Sequence, residues 1–366
     1  MTLTENPRST ISPALSPATR LTSGRLPQWA PWALLALSFV ISATVFILLA
    51  ATGDASPDLV ATAVVGVLLY LVLVTVVSTV VEGRRKATDR LVTGVVASAF
   101  ALALVPLVSV GYTVISNGVA GLSAEFFSNS MRNVVGEGGG ALHAIMGTVL
   151  ITLAAAVISI PIGLFTAIYL IEYGRGPLAK GITFLVDVMT GIPSIVAGLF
   201  IYAVFALIMG PGVRMGIMGA LSLAVLMIPV VVRSSEEMLR LVPNELREAA
   251  YALGVPKWLT ILKVVLPTSI AGITTGIMLA IARVIGETAP LLITAGFTAS
   301  MNYNLAEGRM MTLPVFVYTQ YMNQGLPAQA YVDRAWAAAL VLILIVMLLN
   351  LVARLIAKIF APATGR

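Results

Sequence analysis

Residues 244–267 read NELREAAYALGVPKWLTILKVVLP and stand between two long apolar runs. The stretch is charged, yet apolar residues recur in it at helical spacing. Leu246, Ala249, Ala250 and Leu253 fall on one face. Just upstream, Ser234-Ser-Glu-Glu237 has the pattern of a capping box and predicts the start of a short helix. Pro243 cannot continue that helix. Asn244 offers a fresh N-cap for a second one over 245–253, and Gly254 is placed to end it as the C′ residue. Pro256 opens a further segment over 257–266, and Pro267 is expected to begin the next apolar run. A loop built this way over 234–267 offers a face that a soluble partner could receive. An amphipathic segment lying on a bilayer would share the pattern.

Outward from the loop, the chain is 59% hydrophobic and 10% charged, with a mean hydropathy of +1.00. Soluble domains carry roughly 25% charged residues, and few could hide this much apolar surface. Lipid is therefore the expected solvent. A helix needs roughly 20 apolar residues to cross a hydrocarbon core of about 30 Å. Eight runs qualify, over 31–52, 59–81, 91–116, 142–171, 181–209, 215–233, 268–296 and 334–357. With the N-terminus in the cytoplasm, 17 of the 22 Lys and Arg residues lie inside and four outside (Arg132, Arg214, Arg309 and Arg334), leaving Arg283 within a span. That asymmetry supports an even number of spans with both termini cytoplasmic.

The net charge of +6 belongs to these flanking positions, and no nucleic-acid-binding pattern accompanies it. The chain has no cysteine, which excludes disulfides, iron–sulfur clusters and thiol catalysis. Residues 1–28 are rich in Ser, Thr and Pro and are expected to form a disordered cytoplasmic tail. Residues 29–82 form a two-helix transmembrane hairpin, and 83–366 the remaining domain with its cytoplasmic loop. The outer loops over 117–141 and 297–333 are long and polar, and the glycine stretch at 136–140 is expected to be flexible.

The spacing Glu248-Ala249-Ala250, Gly254, then Val264 and Leu266-Pro267 resembles the EAA signature of ABC-importer permeases. In that family the loop docks into a cleft of the ATPase subunit, which would give Glu245, Glu248, Ala249, Ala250, Gly254 and Pro267 a coupling role. The stretch 281–292, IARVIGETAPLL, resembles the signature of the PstA-type permeases of phosphate importers. Gly191-Ile-Pro193-Ser194-Ile195, Ala144-Ile-Met-Gly147-Thr148 and the segment from Ala167 to Glu172-Tyr173 are similar to other segments of the same family. Ala289-Pro290, where the partner permease would carry Met, favours the A-type subunit. The resemblance covers roughly 85–360 and leaves the first two spans as an added hairpin of unassigned role.

The resemblance implies an all-α membrane protein with a type I permease core of six helices plus that hairpin. It implies a non-catalytic subunit of the bacterial inner membrane, translocating inorganic phosphate by alternating access. The implied partners are a homologous second permease (PstC-type), an ATPase dimer (PstB-type) that binds ATP and Mg, and an extracytoplasmic phosphate-binding protein (PstS-type). No cofactor or metal is expected in this chain. A permease for another oxyanion such as molybdate or sulfate is an alternative within the class, and a stand-alone secondary transporter or an intramembrane enzyme outside it.

The residue chemistry suits an oxyanion. A charge at mid-membrane costs about 2.5–3.5 kcal/mol on insertion scales and usually faces a cavity or a partner. Arg283 and Glu287 are four apart, which on a continuous helix puts them on one face. Arg offers planar donors matched to phosphate oxygens. Arg283 is expected to contact the anion, with Glu287 holding the guanidinium and keeping the anion from binding too tightly. A purely structural ion pair is the competing reading. Thr288 and Ser194 join the candidate pathway, and Gly191, Pro193 and Ser194 are expected to interrupt the fifth span. Arg233, at the inner end of the sixth span, matches an arginine of the family's anion path, although an inner-face anchor would look the same. Asp187 reads as structural, the sole His143 has no assigned role, and Met310 and Met311 read as packing. The chain has no G-x-x-x-x-G-K-[ST] run, so ATP must bind another chain.

Overall fold

The computed structural model describes residues 24–52 and 58–360. Most of the expected N-terminal tail lies outside the described residues; 24–29 are turn and coil that lead into the first helix. The described residues form helices and connecting loops, with no strand among them. The helices are α1 (Ala30–Thr52), α2 (Leu59–Val81), α3 (Arg84–Gly118), α4 (Ala124–Ser128), α5 (Leu142–Ile168), α6 (Gly176–Thr190), α7 (Ser194–Met209), α8 (Gly216–Arg240), α9 (Asn244–Ala252), α10 (Lys257–Thr260), α11 (Leu266–Val284), α12 (Ala289–Thr294), α13 (Leu313–Met322) and α14 (Ala328–Phe360). Seven of the described helical segments are long and apolar enough to cross a membrane, and α6 with α7 makes an eighth if that pair is one broken span. The chain divides into two compact units, Met1–Val110 and Gly111–Arg366.

In the first unit α1 and α2 form the hairpin. Asp58 caps α2, its Oδ1 accepting from Val60 N at 2.9 Å and Ala61 N at 3.1 Å. Most of the large apolar side chains of α1 and α2 are exposed, as lipid-facing helices require.

The second unit is built on the pairing of α5 with α8. Small residues let the two backbones approach: a Cβ on Gly163 would lie 2.7 Å from Val231 Cγ1, and one on Gly219 would meet Ile151. Ala144, Ile151, Ala155, Leu223, Met227 and Val231 are buried along this seam. α11 crosses α8 through Gly272 and Gly276, which face Met238 and Ser234. The glycine stretch at 136–140 is pinned, against the expectation of flexibility. Arg334 Nη1 donates to Gly136 O at 2.7 Å and to Gly138 O at 2.9 Å, with the guanidinium over the Tyr331 ring. Met310 and Met311 are buried, and Gly147 packs so closely on this segment that a Cβ would lie 1.9 Å from Met311 O.

Two sequence expectations for the loop at 234–267 are corrected. Ser234-Ser-Glu-Glu237 does not start a helix, because α8 runs through it to Arg240. Ser234 Oγ instead donates back to Val230 O at 2.9 Å, the hydroxyl's other habit inside a helix. Pro267 does not open a span either. The helical path is continuous from Lys257 to Val284, with a π turn over Ile261–Val265 just before the proline. A wider turn there accommodates a residue that cannot donate to the fourth carbonyl back.

Candidate functional site

The loop is built as α9, a tight turn and α10. Gly254, at φ +75°, supplies the left-handed residue that ends α9. Its N–H donates to Tyr251 O at 2.9 Å, and Val255 N donates to Ala250 O at 3.1 Å. The apolar face anticipated for α9 is split. Ala250 is buried against the protein, whereas Leu246, Ala249 and Leu253 are exposed, as are Glu245, Glu248 and Pro267. Leu253 and Trp258 leave large apolar surfaces at the tip of the loop, 83% and 61% exposed. A docking element needs such an uncovered surface.

What fixes α9 to the transmembrane bundle is a set of contacts that residue spacing did not reveal. The end of α5 widens into a π turn over Tyr169–Tyr173, which carries Glu172. Arg247 of α9 pairs with that carboxylate at 2.9 Å. The same guanidinium donates to Leu239 O in the last turn of α8 at 3.0 Å and to Val242 O just beyond the helix at 2.6 Å. Lys257 donates to Glu172 O and lies over the Tyr173 ring, 4.7 Å from its centroid. One residue after α5 thus gathers both arms of the loop, Glu172 taking Arg247 on its carboxylate and Lys257 on its backbone carbonyl. Glu172 stands in a segment already noted for its family likeness, and Arg247 counted only as one of the inner cations.

Deeper in the bundle, two broken helical segments meet. α6 and α7 are bent by 109° across Gly191–Pro193, where the sequence placed an interruption. α11 ends at Val284, and a turn over 285–288 leads into the short α12. Gly198, one turn into α7, packs on Pro290 of α12, with room for no side chain: a Cβ would lie 2.7 Å from Pro290 Cα. This crossing brings the start of α7, marked by Ser194, toward the segment that carries Thr288.

Arg283 and Glu287 do not form the expected pair. α11 stops one residue after Arg283, so the four-residue spacing no longer implies a shared helical face. Arg283 is exposed in the last turn of α11 and has no ion-pair or hydrogen-bond partner among the described residues. Glu287 is half-buried and also unpaired, as are the side chains of Thr288 and Ser194. Arg233 is the opposite case. Its guanidinium is held by Asp187 of α6 and by Glu236 of α8, the latter at 2.8 Å. Asp187 therefore serves as a partner to Arg233, and an anion reaching Arg233 must compete with two carboxylates. Glu236, buried and three residues on from Arg233, escaped the sequence reading. His143 is buried edge-on against Phe316, with ring centroids 5.5 Å apart, as a packing residue would be.

Residues 159–366 match the family described as "Binding-protein-dependent transport system inner membrane component". The Mycobacterium tuberculosis (strain CDC 1551 / Oshkosh) protein named phosphate transport system permease protein PstA 1 is 45% identical over 276 residues, which is 75% of this chain and 90% of that protein. The Pasteurella multocida protein named phosphate transport system permease protein PstA is 43% identical over 245 residues, 67% of this chain and 85% of that one. Among solved structures, a chain of a bacterial alginate ABC transporter, in complex with an alginate pentasaccharide-bound periplasmic protein, aligns with a TM-score of 0.54 at 13% identity. The alignment covers 76% of this chain and 97% of that one, a likeness of fold alone.

Proposed function

The chain belongs to the binding-protein-dependent transport system inner membrane components, among the PstA-type permeases, and on that premise we propose how its residues carry phosphate across the membrane. It is a transmembrane permease subunit of a phosphate ABC importer. Its assembly includes ATPase subunits and an extracytoplasmic binding protein. The specific set is a PstC-type second permease, a PstB-type ATPase dimer that holds ATP and Mg, and a PstS-type phosphate-binding protein. This chain itself is non-catalytic. Both termini lie in the cytoplasm, an orientation supported by the distribution of Lys and Arg.

The observation that carries the reading is the solitary Arg283. A charge at the centre of a membrane costs about 2.5–3.5 kcal/mol, and Arg283, in the last turn of α11 at the break that leads into α12, has no internal partner to offset any such cost. A passing oxyanion offsets it through the guanidinium's parallel donors. Glu287, Thr288 and Ser194, all unpaired and on the two broken segments, line the same path. Glu287 limits the residence of the anion by like-charge repulsion. At the inner end Arg233 hands the anion on while its two acids reclaim the guanidinium. Closure of the ATPase dimer moves the loop at 234–267, and Glu172 passes that movement to α5. The loop engages the ATPase through Glu245, Glu248, Ala249 and the exposed Leu253, with Ala250, Gly254 and Pro267 shaping it.

Radiolabelled phosphate uptake by the assembled transporter in proteoliposomes tests the anion assignment. ATP-dependent uptake should resist a hundredfold excess of sulfate or molybdate and be abolished by unlabelled phosphate. Competition by sulfate or molybdate at phosphate-like concentrations would reassign the substrate to another oxyanion.

A further inference from the structure

Within Met1–Val110 lies a cleft of about 1170 Å³ that none of the proposed phosphate-path residues lines. Its walls are α1, α2 and the first half of α3. α1 and α2 close on each other where Gly66 faces Phe39, and α3 touches α2 at Gly94, where a Cβ would lie 2.8 Å from Leu71 Cδ2. Below that contact the walls are apolar and include Phe39, Val64, Leu68, Ala101 and Val105.

The mouth is polar. Glu82 sits there with its side chain only 2% exposed and its carboxylate fully engaged. It accepts from Leu26 N at 2.9 Å, from Ser78 Oγ at 2.8 Å, and from Arg90 at 2.6 and 3.0 Å. Glu82 and Arg90 therefore cancel. Three charges remain at the mouth: Arg25, Lys86 and Asp89, all exposed and without a hydrogen-bond or ion-pair partner among the described residues. The balance is positive, and Arg84 and Arg85 adjoin it at the start of α3.

An apolar slot topped by uncompensated cations matches an anionic phospholipid, with its phosphate at the mouth and an acyl chain in the slot. Apolar walls alone would not choose among lipids, because lipid tails are as apolar as the helix surface. Cations at headgroup level do choose, since they attract anionic lipid. A transmembrane helix of a partner subunit would fill the slot but would gain nothing from Arg25 and Lys86. We propose that the cleft between the α1–α2 hairpin and α3 is a binding site for an anionic phospholipid, held at its phosphate by Arg25 and Lys86. This gives the hairpin, which the family resemblance leaves unassigned, a role as a lipid-holding module.

Trp32 lines the cleft and reports on it. The assembled transporter would carry Trp32 as this chain's sole tryptophan, with Trp29, Trp258 and Trp336 changed to Phe and the partner subunits' tryptophans likewise replaced. It would be reconstituted into vesicles with brominated phosphatidylglycerol or brominated phosphatidylcholine as quencher. Quenching should favour phosphatidylglycerol, and the preference should fall roughly fivefold for each of Arg25→Gln and Lys86→Gln. Ala101→Phe, which narrows the slot and leaves both cations, should lower quenching by both lipids. Equal quenching by the two headgroups in the parent would reduce the cleft to ordinary lipid contact. No quenching by either would mean that another helix of the assembly fills it. Either result overturns the proposal.

Discussion

Arg247 and Glu172, 75 residues apart in sequence, meet at 2.9 Å at the foot of the bundle. Their side chains are 12% and 5% exposed, so the pair is largely withdrawn from water. It ties the loop helix α9 to the end of α5 while the same guanidinium covers Leu239 O in the last turn of α8 and Val242 O just after it. Breaking a buried pair from one side leaves an uncompensated charge and costs about 3–5 kcal/mol. Arg247→Ala should therefore lower the thermal unfolding midpoint of the purified transporter and uncouple it, with ATP hydrolysis continuing while uptake falls at least tenfold. The reciprocal pair Glu172→Gln with Arg247→Gln should recover part of the stability, because no lone charge remains. Full coupling in Arg247→Ala would remove Glu172 from the transmission route.

Gly254 has open space around it but a φ of +75°. A side chain there meets backbone strain of roughly 1–2 kcal/mol and no clash. Gly254→Val should weaken binding of the ATPase subunits, measured by co-purification, whereas Gly254→Asn should be close to wild type because Asn tolerates the left-handed region. Equal loss in both variants would point to a need for bare backbone at the docking surface instead.

The crossing of Gly198 and Pro290 leaves no room for a side chain. Overpacking of this kind costs typically 1–3 kcal/mol. Gly198→Val should displace α12 from α7 and cut phosphate uptake several-fold more than it lowers the unfolding temperature would suggest. A proportional loss of both would mean that the crossing is structural only.

The membrane class, the helix break at Gly191–Pro193 and the αL turn at Gly254 were legible because each is a local property: apolar run length, a Gly-x-Pro break and a glycine after a helical stretch. The limits were equally physical. Ser234 reads as a cap or as a back-bonded helical residue with the same letters, and only the packing of α8 on α5 and α11 decides for the continuous helix. The Arg283–Glu287 pairing failed because it assumed a helix through 287, and α11 ends at Val284. Asp187 and Glu172, the carboxylates that Arg233 and Arg247 reach on other segments, leave no record in the spacing within one segment, whereas Glu236, three residues on from Arg233 in α8, is a local neighbour that spacing does record.

At the α2–α3 turn, the Arg90 guanidinium holds the Glu82 carboxyl at about 2, well below its ordinary 4.5. A depressed acid contributes stability that is complete above pH 4.5 and is lost as pH falls toward 2. Wild type should thus show an acid-dependent loss of unfolding temperature across that window, and Glu82→Gln should be less stable at pH 7 with a smaller dependence there. An identical pH profile in Glu82→Gln would show that other carboxylates set the acid response.

The most direct measurement is phosphate uptake by proteoliposomes of the assembled transporter carrying Arg283→Gln, with Arg283→Lys beside it. The glutamine variant is expected to assemble normally and to retain ATP hydrolysis, with uptake down by about a hundredfold, as loss of a charged hydrogen-bonded contact worth about 3 kcal/mol implies. The lysine variant should keep an intermediate rate, having the charge without the planar fork. Wild-type uptake in Arg283→Gln would contradict the central claim that this unpartnered arginine is the anion's contact within the membrane.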